Sequence, residues 1–168
     1  MHPLLGPGGP GWRMLGPAAL SRHSLRFHAR SRDAGDDSGK CDALHTGRAG
    51  DVVHGIVFLA NDQRRQELEQ PGGGYLATQV RVSLPTGTAD AWIRVADPAW
   101  IDPGLVPFDW YVALVGSGAR IHGLPADYQA RLRTVVTRPD RDRDRAARFL
   151  EIARGTRKIR PFFRRPSS

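Results

Sequence analysis

The sequence predicts an α+β domain, with strand patterns through roughly its first hundred residues and helix patterns after them. Three observations carry this. "VVHGIVFLA", residues 52–60, is a nearly continuous apolar and β-branched run of strand length. "YLATQVRVSL" and "ADAWIRVA" flank a P-T-G-T turn, and Val80, Val82 and Leu84 alternate with Arg81 and Ser83 in the manner of a hairpin. "FDWYVALVGSGARIHG" instead places Phe108, Tyr111, Leu114, Val115, Gly118, Ala119 and His122 at helical spacing.

In chain order, residues 1–19 are rich in Gly and Pro without sustained periodicity, which predicts coil. Residues 20–31 read as a half-exposed strand, with Leu25, Phe27 and Ala29 alternating against basic residues. Residues 32–51 form a polar, glycine-bearing connection, and 52–60 a strand buried on both faces. "NDQRRQELEQ" suits a short polar helix with Asn61 or Asp62 as N-cap, stopped by Pro71 and the glycines. The hairpin should pair residues 75–84 antiparallel with 89–96, Val80 and Val82 facing the core. The helix from Phe108 stops at Gly123. Pro125 then suits the first turn of a second helix whose face carries Tyr128, Leu132, Val135 and Val136. An Arg/Asp alternation, the short amphipathic piece "AARFLEIARG" and a basic end follow. The expected organisation is a Gly/Pro-rich segment (1–19), one folded domain (20–137) and a basic tail (138–168).

The chain has 168 residues and a formal net charge of +8. Eleven Arg and Lys against four acids after Thr137 place +7 of that charge in the tail, so the remainder is nearly neutral. The tail therefore predicts nonspecific polyanion binding that weakens as salt rises, concentrated in "RGTRKIRPFFRR" because the preceding Asp and Arg residues neutralise one another. The single cysteine, Cys41, excludes an internal disulfide and points to a reducing compartment. Pro and Gly interrupt the N-terminus as a secretory signal, and no segment approaches the ~20 apolar residues of a membrane span. A cytoplasmic protein with no membrane partner is expected. The six histidines show no metal-ligand spacing, so no metal site is expected. "GSGARIHG" lies inside a helical pattern with no strand before it, which favours close helix packing over a dinucleotide loop, and no serine occupies a G-x-S-x-G elbow.

Several segments together resemble the gamma-glutamylcyclotransferase-like family. "LRFHARSRDAGDDSGKCDAL" is similar to its second strand and following loop, and "DVVHGIVFLA" to its central V-x-G-x-V-(F/Y) strand. "IDPGLVPFDWYVALVGSGARIHGLPADYQARL" resembles the family's helical pair, in which a D-W-Y helix runs into an H-G-L-P-x-x-Y turn. The resemblance spans roughly residues 11–136. It implies a small mixed sheet curled into a barrel-like core with flanking helices. It also implies a reaction: the α-amine of a γ-glutamyl group attacks its own γ-carbonyl, releasing 5-oxoproline and the attached amine or amino acid. No metal or organic cofactor is implied.

Such chemistry needs one group that takes a proton from the α-ammonium and returns it to the leaving amine, a task for a carboxylate whose pKa is raised by partial burial. The family's acid/base is the glutamate of an E-G-x-G-x-G-Y type turn. In "EQPGGGY" this falls on Glu69, with Tyr75 and Tyr111 matching family tyrosines near the pocket. The resemblance implies Glu69 as catalytic residue, pointing into a cavity between the sheet and the helix beginning near Phe108 without a basic neighbour. Tyr75 and Tyr111 are the implied substrate-binding residues. The sequence departs from the family at Gln70, at Arg65 and Gln66 where L-D is usual, and at Arg94 where a tyrosine is common. The family's opening strand and Y-G-S turn, which cradle the oxyanion with backbone N–H groups, have no counterpart in "MHPLLGPGGPGWRML". This predicts little turnover and sets a second expectation beside the first: a non-catalytic relative that binds through its pocket or its basic tail.

Overall fold

The structure is a computed structural model describing residues 11–33, 35–70 and 73–155. Among these, the strands are β1 (Trp12–Ser21), β2 (His23–Ala29), β3 (Lys40–His45), β4 (Val52–Ala60), β5 (Tyr75–Leu84) and β6 (Gly87–Ala96). The helices are α1 (Asp62–Glu69), α2 (Asp109–Ile121), α3 (Ala126–Arg133) and α4 (Arg143–Ala153), with a 3-10 turn at Pro98–Trp100. The α+β class follows the pattern of the sequence, strands first and three of these helices after them.

The hairpin pairs as its alternation predicts. Tyr75 lies opposite Ala96 and Leu84 opposite Gly87, around the two-residue turn Pro85 and Thr86. Val82 is buried and Val80 packs against the same apolar cluster, which holds Ala18 and Leu20. The hairpin belongs to an antiparallel sheet in the order β4-β1-β5-β6, while β2 and β3 form a separate antiparallel pair. β2 lies beside β4 and β3 beside β6, so the two sheets curl toward one another into a barrel-like wall. At the β3–β6 seam a side chain does the work of a ladder bond: Asp42 Oδ1 accepts the Ala96 N–H at 2.7 Å.

Four strand expectations are corrected. Residues 12–19 are not coil but most of β1, registered along β4 from Trp12–Ala60 to Ser21–Val52. A register shift between Met14 and Gly16 skips Leu15 just before the Gly-Pro step, and β1 bridges β5 at the single pair Ala19–Ser83. Pro17 therefore sits where the sheet demands fewer donors. Leu20 closes β1 rather than opening the next strand, because the chain reverses at Arg22, a non-glycine residue with φ of 62°. The connection over 32–51 contains β3, which polar residues disguise: Asp42 is buried because His28 and Ala96 both donate to it. β4 is only partly buried rather than enclosed on both faces, and Leu59 is exposed.

Helix α1 begins where expected, with Asn61 Oδ1 accepting the Arg64 N–H. Helix α2 buries Trp110, Tyr111, Leu114 and Ala119, and its glycines lie within the helix rather than in a nucleotide loop. In α3, Tyr128 and Leu132 are buried, but the helix ends at Arg133 and Val136 is exposed, so the expected four-residue face is two residues long.

The alternating Arg/Asp stretch is the largest departure from a solvated tail. Asp140 is buried, accepts Trp110 Nε1–H at 2.8 Å and pairs through both oxygens with Arg145, at 2.6 and 2.7 Å. This anchors α4, whose Phe149 stacks on Trp110 with ring centroids 4.4 Å apart. Leu150 and Ile152 pack on the same cluster. Most of the concentrated basic patch, residues 156–165, lies outside the described residues, as do residues 1–10. No helix among the described residues is long and apolar enough to cross a membrane.

Candidate functional site

The residue before β5, Gly74, lies against an aromatic ring. Gly74 has φ of 71°, and a Cβ placed on it would lie 2.6 Å from the ring of Trp100. Its carbonyl accepts the Asp97 N–H at 2.9 Å. Both the left-handed backbone and the close approach demand glycine there. Arg94 Nη2 donates to the Tyr75 carbonyl at 3.2 Å, so the residue standing in place of the family's tyrosine braces the start of β5.

Glu69 is the last residue of α1, and its side chain retains 34% of its exposure. Its carboxylate accepts Arg65 Nη1–H at 3.1 Å, one helical turn away. The expectation of a carboxylate without a basic neighbour is therefore corrected. The reason lies in the i,i+4 spacing, which puts the two side chains side by side on the helix surface.

The two tyrosines do come together. Tyr75 Oη donates to the Cys41 carbonyl at 2.8 Å, and Tyr111 Oη accepts the Cys41 N–H at 3.3 Å. Both backbone groups of Cys41 in β3 are thus held by phenols, the carbonyl by Tyr75 and the N–H by Tyr111. Burial pushes the pKa of each tyrosine well above the ordinary phenol value, with the neighbouring Cys41 adding to the rise. Burial likewise pushes the Cys41 thiol up to about 12. A thiol raised this far is a poor nucleophile at neutral pH.

Beside this clasp lies a buried polar group that sequence reasoning missed. His28 Nε2 meets Asp42 Oδ2 at 2.8 Å, and the other oxygen of Asp42 holds the Ala96 N–H. Two positions before Asp42, Lys40 Nζ pairs with Asp36 at 2.6 Å and stands 4.8 Å from the centre of the Tyr111 ring. The one available signal is the alternation of Lys40 and Asp42 about Cys41, which is strand-like once the polar residues are allowed inside.

A cavity of about 210 Å³ lies between β4, α2 and α3, in the region expected between the sheet and the helix that follows Phe108. Cys41 forms part of its wall, with His54 and His122 as its imidazoles. Glu69, Tyr75 and Tyr111 are not among its lining residues. The predicted site residues therefore fall into two groups: the tyrosines on one side of Cys41, and Glu69 at the end of α1. No cluster of three or more His, Cys, Asp or Glu able to hold a metal occurs among the described residues.

No family model matches the chain, and no curated protein matches it. Solved structures do. An uncharacterized protein from Homo sapiens superposes with a TM-score of 0.65 at 21% identity, covering 77% of this chain and 78% of that one. A gamma-glutamyl cyclotransferase gives a TM-score of 0.66 at 19% identity, covering 83% of this chain and 88% of that one. YkqA from Bacillus subtilis gives 0.59 at 16% identity, with 74% of this chain matched to 46% of that longer one. The likeness is one of fold: an α+β chain whose curled sheet and flanking helices follow the gamma-glutamyl cyclotransferase-like arrangement.

Proposed function

We propose that this chain, having the gamma-glutamyl cyclotransferase-like fold, acts on a small γ-glutamyl compound with Glu69 as its acid/base. The observation that carries the reading is the superposition on a gamma-glutamyl cyclotransferase over 83% of the chain. It is joined by the position of Glu69 at the end of α1, before a glycine turn. In the proposed reaction the Glu69 carboxylate takes a proton from the substrate's α-ammonium. The freed amine attacks the γ-carbonyl, a lactam C–N bond forms as the attacking nitrogen gives its second proton to solvent, and the bond to the leaving amine breaks as Glu69 returns the first proton to it. The products are 5-oxoproline and the free amine or amino acid.

A second reading has its own observations. The Arg65 ion pair engages Glu69, and Tyr75 and Tyr111 both hydrogen-bond the Cys41 backbone. These favour a relative that keeps the scaffold for binding, with the basic tail meeting an acidic partner. Release of 5-oxoproline from γ-glutamyl dipeptides and γ-glutamyl amines separates the two. The cyclotransferase reading expects product, and a loss of ~10²–10⁴-fold in kcat for Glu69→Gln, which keeps the shape but cannot carry the proton. No product at any pH between 6 and 9, with an intact fold by circular dichroism, leaves the binding reading.

A further inference from the structure

The β2–β3 pair ends on two histidines outside both the Glu69 turn and the cavity behind Cys41. His23 and His45 lie directly opposite one another, although 22 positions separate them in the chain, so ligand spacing along the sequence does not reveal them. The His23 N–H is donated to the Asp51 carbonyl and not across the ladder. Cys41, on the same parity of β3 as His45, likewise turns its N–H and carbonyl away from β2. The two histidines are therefore a non-hydrogen-bonded pair, the arrangement that brings facing side chains closest.

The rings meet accordingly, with centres 4.9 Å apart and planes tilted by 59°. An imidazole bound to a metal at about 2.0–2.1 Å has its ring centre roughly 3.2 Å from the ion, so two rings meeting at ~90–110° have centres ~4.5–5.2 Å apart. The observed separation falls inside that span. One ring is also set up chemically. His23 Nδ1 lies 2.7 Å from the Ser21 carbonyl, which can only accept, so Nδ1 carries the proton and Nε2 of the neutral ring keeps its lone pair. A carbonyl on the far nitrogen is the usual support of a metal-bound histidine, fixing its tautomer and orientation. His45 is exposed and makes no hydrogen bond among the described residues, so its ring turns toward a shared ion without breaking one.

We propose that His23 and His45 form a two-histidine site for a late divalent transition metal such as Zn²⁺, with water completing the coordination. Two neutral nitrogen ligands select such an ion over Mg²⁺ or Ca²⁺, which take oxygen ligands. No third His, Cys, Asp or Glu is grouped with them among the described residues, so binding rests on the two nitrogen bonds. The coordination keeps open positions, as befits an exchangeable ion rather than a closed structural one. Because the ligands lie on two strands, the ion clips the end of the β2–β3 pair and stabilises the folded chain.

The test titrates the full chain with Zn²⁺, and with Mg²⁺ as control, followed by calorimetry and by the histidine ring resonances. One equivalent of Zn²⁺ is expected to bind saturably, to shift the His23 and His45 resonances before those of His54 and His122, and to raise Tm. Mg²⁺ should do none of these. His45→Ala removes an exposed ring and should melt with the metal-free parent. It should bind Zn²⁺ on the order of 10²-fold more weakly, since one ligand remains where two acted together. His23→Ala should lose the same affinity, whereas His2→Ala, which removes the imidazole nearest the N-terminus, should keep it. Absence of saturable binding, undiminished affinity in His45→Ala, loss of binding in His2→Ala, or an equal response to Mg²⁺ would overturn the proposal.

Discussion

Gly74 shows how a single residue constrains the candidate site. Its left-handed φ of 71° and the Trp100 ring where a Cβ would fall make any substitution both strained and crowded. Gly74→Ala is expected to destabilise by more than ~1 kcal/mol, seen as a lower urea midpoint at unchanged m-value. The need for glycine before Tyr75 is legible in "EQPGGGY", but its cause is not, since Trp100 arrives from 26 positions further along the chain. Glu69 makes the opposite case. The Arg65 partner is written at i,i+4, yet the sequence alone does not say whether such a pair points outward or is pulled apart by a pocket. The three tyrosines of the chain illustrate a third situation. Tyr75, Tyr111 and Tyr128 are spread over strand and helices, and all three sense Cys41 electrostatically in the folded molecule.

Elements whose apolar spacing is regular, β4, the β5–β6 hairpin and α2, appear where that spacing puts them. β1 and β3 escape it for different reasons. β1 carries a Gly-Pro step that usually marks coil and here follows directly on a register shift. β3 hides its strand character behind Lys40 and Asp42, polar residues buried with partners from elsewhere in the chain. Helix α4 is the element whose role changes most. Its stacked Phe149 and the Asp140–Arg145 pair join it to Trp110, so it completes the core instead of trailing from it. Truncation after Thr137 is expected to lower Tm sharply rather than leave it unchanged. Phe149→Ala should cost roughly 3 kcal/mol, the lower part of the range for a Phe truncation. Thermal melts of both variants check this. A truncated chain melting with the parent would return α4 to the status of an appendage.

For the whole molecule, acid should act in two stages. Burial lowers the His54 pKa, so the unfolded chain takes up that proton more readily. The stability tied to neutral His54 is complete above its unfolded value of ~6.5 and is lost as pH falls through the lowered folded value. Arg145 holds Asp140 at about 2, aided by the Asp142 N–H and Trp110 and opposed by burial. For Asp36, burial raises the carboxyl, and the hydrogen bonds and charge of Lys40 together with the bonds from Ser38 outweigh it. Both carboxylates therefore stabilise the fold fully above ~4, the unfolded value, and lose that contribution as pH falls toward their folded values. Melting temperatures measured between pH 7.5 and 2.5 should show a first decline below about 6.5 and a steeper one below about 4. Asp140→Asn should flatten the second limb and leave the first unchanged.

The sequence by itself determined the α+β class, the hairpin, the helix that follows Phe108 and the short helix that ends at Glu69, because local propensity and apolar period decide those. The tertiary structure alone decided that β1 and β3 are strands and that α4 belongs to the core. It also decided that Tyr75 and Tyr111 meet on one peptide segment and that the cavity opens onto His54 and His122 instead of Glu69. Each of these depends on partners distant in the chain: a buried Asp with a His and a backbone N–H, an indole with a phenyl ring, two phenols with one cysteine. Such contacts stabilise the fold only once the chain has brought them together, and periodicity along the chain does not record them.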